Sequence, residues 1–172
     1  KNRIIKTITR KGLYNLTDEK NYRVDSKLDI GVHNDFDIEQ AEYCFNLNTI
    51  NESVALFINS KEQIFTEKLK SLLIFGYTST RYKVISDFFY LIKYGNLKKH
   101  KLEKYISKII FNDNTLKVNN VVDIYRILNS LFNNRRFVSN LSNVKVNWLN
   151  IPSIEIISCI LEFINEFVKT SI

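Results

Sequence analysis

Little in this chain bends or stiffens a backbone. Of its 172 residues, four are glycine, one is proline and none is methionine. The glycines at 12, 31, 76 and 95 are too scattered to build the glycine-rich loops that cradle phosphates. Only two cysteines occur, Cys44 and Cys159. Two cannot make a disulfide scaffold, and no CxxC or Cys/His cluster offers zinc ligands. An intracellular, cytoplasmic setting with reduced thiols is expected; one long-range disulfide in a secreted chain is the alternative. Long uncharged apolar runs are also missing. The nearest, residues 154–168, is interrupted by Glu155, Glu162 and Glu166, so no membrane partner is expected. Residues 1–15 lack the apolar segment and small-residue cleavage site of a signal peptide. A first residue of lysine and the absence of methionine suggest a fragment of a longer chain.

Catalytic signatures are equally sparse. There is no G-x-S-x-G, and neither cysteine sits in a context that marks a nucleophile. The expectation is a chain without its own catalysis and without a cofactor; an active form would be a metal-independent RNase. Asp29, His33, Asp35 and Asp37 crowd the end of a strand and its turn, and such a set can hold a divalent metal. Turn residues bonding nearby backbone explain them more simply, and no Glu-x-Lys follows to complete a nuclease-type site. No metal is therefore expected.

What is present is apolar surface and positive charge. Hydrophobic residues make up 45% of the chain and aromatics 13%, enough for a proper core rather than disorder. Asn, Ile, Lys, Phe and Tyr abound while alanine occurs only at Ala41 and Ala55, a bias that points to AT-rich coding, as in many viruses and mobile elements. The net charge of +7 is uneven. Residues 1–50 hold 8 basic and 8 acidic groups, whereas residues 51–172 hold 17 and 10. Residues 61–117 alone hold 12 basic against 5 acidic groups, which suits a phosphate-bearing or acidic partner. The plainer explanation is a solvated lysine-rich surface favoured by AT-rich codons.

The hydrophobic period changes once. Residues 3–9 fit a short strand, and Gly12 with residues 15–20 a turn. Tyr22, Val24, Leu28, Ile30 and Val32 alternate with polar residues, as do Ala41, Tyr43, Phe45 and Leu47, so 22–33 and 40–48 are expected as antiparallel partners. From residue 51 the period is 3.6. Val54, Phe57 and Ile58 suggest a helical turn. Ser60 and Gln63 have capping-box spacing before a helix that Gly76 ends. A second helix, capped by Ser79 or Thr80, runs to Gly95, a third starts near Asn96, and a fourth spans 121–141. Val144, Val146 and Trp148 fit a strand or an extended link. Pro152 suits the start of a last helix whose apolar stripe is wide enough for more than one neighbour or a subunit interface. The expected fold is α+β: a small antiparallel N-terminal β-sheet followed by an irregular bundle of about five α-helices. Residues 1–50 would form a β-rich unit and 51–172 a basic helical domain, or the two one continuous domain.

Two basic elements stand out. Lys98, Lys99, Lys101, Lys104 and Lys108 crowd the third helix, with Lys101, Lys104 and Lys108 near one face; such a row contacts phosphates without sequence preference, or is an ordinary solvent face. No aromatic platform for stacking bases is evident, so sequence-specific recognition of single strands is not expected. The second element is Arg135 and Arg136 with Asn140, after the apolar stripe of Val121, Ile124, Leu128, Leu131 and Phe132. Cations at a helix C-terminus suit the dipole, which alone accounts for the arginines. Yet a basic helical domain whose late helix ends in Arg-Arg-x-x-x-Asn resembles the HEPN family of RNA-cleaving domains. The resemblance covers residues 52–168 and includes the run ALFINSKEQIFTEKLKSLLIFGY, similar to members that follow a β-rich unit. It implies an α-helical, usually dimeric, RNA-directed domain. The family's histidine, an acid or base near neutrality, is Asn140 here, which donates hydrogen bonds but cannot shuttle a proton. The expected function is accordingly RNA binding without cleavage, as a homodimer or within a larger assembly. The alternative is a structural or protein-interaction domain of a larger viral or mobile-element protein, docking through its C-terminal helix.

Overall fold

A computed structural model describes residues 5–15, 21–31, 40–47, 52–78, 82–143 and 147–170. The fold is α+β, with antiparallel hairpins followed by a helical bundle. The chain divides into two compact units, residues 1–39 and 40–172.

In the first unit, β1 (Ile5–Asn15) pairs antiparallel with β2 (Asn21–Gly31), from Ile5 opposite Gly31 to Asn15 opposite Asn21. Gly12 lies inside β1, opposite Val24, rather than in a turn. In the second, β3 (Gln40–Leu47) pairs with β4 (Glu52–Asn59). The expected pairing of 22–33 with 40–48 is therefore replaced by two sequential hairpins. The cause lies in 52–59. Val54, Leu56 and Ile58 alternate as well as Val54, Phe57 and Ile58 fit a helix, and they stand opposite Phe45, Tyr43 and Ala41 on one face of the hairpin. Tyr43, Phe45, Val54 and Leu56 on that face are all exposed.

Six α-helices follow among the described residues. Helix α1 (Lys61–Phe75) starts where the Ser60 hydroxyl accepts the Gln63 N–H at 3.2 Å, and it stops at Gly76, whose φ of +51° suits a residue without Cβ. Helix α2 (Lys83–Tyr94) has Tyr82 before it with no side-chain cap, and Gly95 at its end; Ser79 and Thr80 lie outside the described residues. Helix α3 (Lys99–Ile106) starts three residues later than Asn96, which takes a left-handed φ of +48°, and a π-helical turn at Ser107–Phe111 extends it. Helix α6 (Ser153–Thr170) begins directly after Pro152. Trp148 lies in a turn, and residues 144–146 lie outside the described residues.

The expected helix over 121–141 is two helices. Helix α4 (Val121–Phe132) is capped by the Asn120 side chain, and helix α5 (Arg135–Leu141) by Asn134, whose Oδ1 accepts the Phe137 N–H at 3.0 Å. Asn134 has extended backbone (ψ 112°), because its amide offers the next turn an acceptor that helix continuation would forgo. The dipole argument for Arg135 and Arg136 is thereby reversed: they occupy the first turn of α5, where positive charge is disfavoured.

One core holds the bundle together. Phe65 meets Phe88 edge to face at 4.8 Å and Phe163 at 5.7 Å, and Leu102, Ile110, Ile124, Leu128 and Ile156 are fully enclosed around them. Helix α6 packs on both α2 and α4, so Ile157 and Ile164 of its wide stripe are buried within the bundle. Lys70 and Asp113 add an ion pair at 2.5 Å. Leu128→Ala is expected to lower unfolding free energy by about 3 kcal/mol, against under about 0.5 kcal/mol for Ile154→Ala, which is 72% exposed. Urea denaturation of the two variants measures the contrast.

Candidate nucleic-acid interface

The lysine-rich helix is positioned by a carboxylate that its own sequence does not contain. Lys98 precedes α3 with extended backbone, and a lysine side chain cannot accept the helix's first N–H groups. Glu62, in the first turn of α1, fixes the residue before the helix instead: its Oε1 accepts the Lys98 N–H at 2.8 Å. Next to it, Lys61 Nζ donates to the Gly95 carbonyl at 3.1 Å, closing the end of α2. The starts of α1 and α3 and the end of α2 thus meet at one place. Glu62 is only 6% exposed. Burial pushes its carboxyl up, but the Lys98 N–H, its own backbone N–H, the Ser60 hydroxyl and the charge of Lys101 together hold it below its ordinary value.

Around this junction the lysines separate by environment. Lys98, Lys99 and Lys104 are exposed, while Lys101 and Lys108 are half-buried. Lys99 Nζ lies 5.4 Å from the ring centroid of Phe167 at the far end of α6. Lys101 acts on Glu62, so its charge serves the junction as well as the surface.

The arginine element is elsewhere. Arg135 and Arg136 are exposed, and Asn140 Nδ2 donates to the Tyr82 hydroxyl at 2.8 Å. Arg136 and Asn140 share a face of α5 at i, i+4 spacing. Tyr82 precedes α2 and Lys98 follows its end, so the 12 residues of α2, about 18 Å at 1.5 Å per residue, stand between the two basic elements. The structure places Lys98 and Lys99 at the start of α3, Lys104 in its last turn, and Arg136 with Asn140 on one face of α5, with α2 between the two basic elements.

A third feature was not expected from the sequence. Tyr90 lies between Tyr94 and Trp148, with ring centroids 5.3 and 5.8 Å away and all three rings well exposed. The sequence made no such aromatic row evident. Two tyrosines at i, i+4, off the apolar stripe of α2, were its sequence signal; Trp148 joins them only through the fold.

His100 is exposed in α3, away from Asn140, and His33, Asp35 and Asp37 lie outside the described residues. Among the described residues no three His, Cys, Asp or Glu side chains are grouped to hold a metal. Cys44 and Cys159 are both free thiols, and burial pushes the Cys159 thiol up, away from nucleophile behaviour. In comparisons with known proteins, no family model, no curated protein and no solved structure matches the chain.

The Glu62 geometry fixes a pH response. Its carboxyl is depressed in the fold, so its stabilisation is present above the ordinary carboxylate range and is lost as pH falls through the lowered value. Asp113 has the same sign, held low chiefly by the Lys70 ammonium and then by the Thr115 hydroxyl and N–H. Glu62→Gln is expected to melt lower than wild type at pH 7, with the gap narrowing on acidification toward pH 3, and thermal melts across that range measure it.

Proposed function

We propose that the chain is an RNA-binding helical domain without catalysis of its own, acting as a homodimer or within a larger protein assembly. The observation that carries this reading is exposed Lys98 and Lys99 at the entry of α3, on a frame stiffened by Glu62, with exposed Lys104 in the last turn of the same helix. Cations on a fixed backbone release counterions from a phosphate chain with little ordering of the protein. The uneven charge supports it, since residues 51–172 carry the whole +7. Arg135 and Arg136 supply a second contact at the other end of α2. In the HEPN resemblance the Arg-Arg-x-x-x-Asn element faces RNA, and Asn140 in place of histidine is the reason for proposing binding rather than cleavage.

A protein-interaction domain is the second reading, and the β3–β4 hairpin favours it. A two-stranded hairpin has no second layer of its own, and Tyr43, Phe45, Val54 and Leu56 present an apolar face to solvent. The C-terminal helix suits docking less well, because Ile157 and Ile164 are 6% and 1% exposed; replacing them with Asp would test the fold, not a docking face.

RNA binding is expected to weaken steeply with salt. Replacing Lys98 and Lys104 together by Ala should lower the slope of log K against log salt by about 1.4, at about 0.7 per phosphate contact on a single strand. Labelled RNA titrated at several salt concentrations in EDTA gives the slope, and a denaturing gel of the same samples should show uncut RNA. Absence of binding at low salt would sink the reading.

A further inference from the structure

Lys83, Asp87, Tyr90 and Tyr94 recur at i, i+4, i+7 and i+11 along α2 and so share one face, turned from the buried Ile85, Phe88 and Phe89. Trp148 lies against that face. We infer that Trp148, Tyr90 and Tyr94 form a stacking surface for the bases of single-stranded nucleic acid, an inference that rests on the RNA-binding reading above and gives it a substrate class.

Three observations carry it. The rings remain 52%, 46% and 66% exposed although they touch, and their 48° mutual tilts keep them from stacking flat on one another. Large rings normally gain by burial, so a row left open is surface available to a partner. The row is also preset: the Trp148 indole N–H donates to Asp87 Oδ1 at 3.2 Å, and Asp87 Oδ2 accepts Lys68 Nζ at 2.6 Å. An indole already fixed loses less freedom when a base settles on it. Lys68 neutralises Asp87, so the carboxylate that holds the ring does not repel phosphate.

Charge selects the kind of partner. Lys83 lies on the same face, Lys93 is exposed three residues after Tyr90, and α2 leads from Tyr94 through Gly95 to Lys98. A ring row flanked by cations matches a chain that alternates planar groups with phosphates. Base faces are open in a single strand and closed inside a duplex. An apolar protein segment would use the rings and leave the lysines idle, so complementarity favours the polyanion.

Trp148 is the sole tryptophan, so its fluorescence reports on the row directly. Full-length protein is titrated at low salt with an unstructured RNA of about twelve nucleotides and with a duplex of equal length. Saturable quenching by the single strand and none by the duplex is expected. Tyr90→Ala and Tyr94→Ala should each weaken single-strand binding about tenfold, while the phenylalanine variants, which keep the ring, should bind as wild type. Both positions are exposed, so unchanged melting temperatures verify the fold. Equal binding of single-stranded DNA supports stacking too, since ring contacts do not read the 2′-hydroxyl. Single-strand binding unchanged in the alanine variants but lost on Lys98→Glu and Lys104→Glu would overturn the stacking surface and leave RNA binding standing. No binding of either nucleic acid overturns both and favours a protein partner.

Discussion

A buried carboxylate stands at the meeting point of three helix ends and ties them to one another. A buried charge is costly unless its oxygens are bonded, and Glu62 takes the Lys98 N–H that precedes α3 together with its own N–H and the Ser60 hydroxyl. The relation runs both ways. Helix α3 has no side-chain cap of its own; the N–H of Lys98, the residue before its first turn, is held by Glu62 in the first turn of α1. Lys61, the neighbour of Glu62, closes the end of α2. Two adjacent residues of α1 therefore set where α2 stops and α3 starts. The position of Lys98, Lys99 and Lys104 follows from that junction, not from the propensity of an eight-residue helix rich in lysine, which is too short to be stable alone.

Local signals were legible and long-range ones were not. The Ser60–Gln63 spacing, the stops at Gly76 and Gly95 and the start after Pro152 depend on neighbouring residues, and the structure has all four. The hairpin pairing was misread because residues 52–59 satisfy both a period of 2 and a short helical spacing, and only the strand opposite decides between them. The break between α4 and α5 was written in Asn133 and Asn134, but a continuous apolar period masked it. Asparagine reads as a cap only when an orphan N–H is placed to use it. Glu62 carries no signature, since an acidic first turn is ordinary; its partner lies 36 residues away. The same distance problem hid the aromatic row, because Asp87 and Trp148 are 61 residues apart.

Moving Arg135 and Arg136 from a helix end to a helix start changes what must be explained. At the end of α4 they would have completed the dipole and needed no further role. In the first turn of α5 they act against it. Asn134 bears the capping, so the helix does not depend on them either. Asn140, four residues on, is already bonded to Tyr82, which ties α5 to the start of α2.

The two basic elements and the aromatic row then divide by range. Lysine charges act over roughly a Debye length, about 10 Å at moderate salt, and fade as salt rises. Ring contacts act only at van der Waals distance and are nearly indifferent to salt. Helix α2 carries the rings between cations at its two ends, about 18 Å apart. A strand drawn in by charge at one end would meet the rings before reaching the other. Charge would then govern how fast it arrives, and stacking how long it stays. A rigid duplex has the charge for the first step but no open base faces for the second. On the proposed reading, the arrangement would separate single from double strands by residence time, with no base-specific hydrogen bond required.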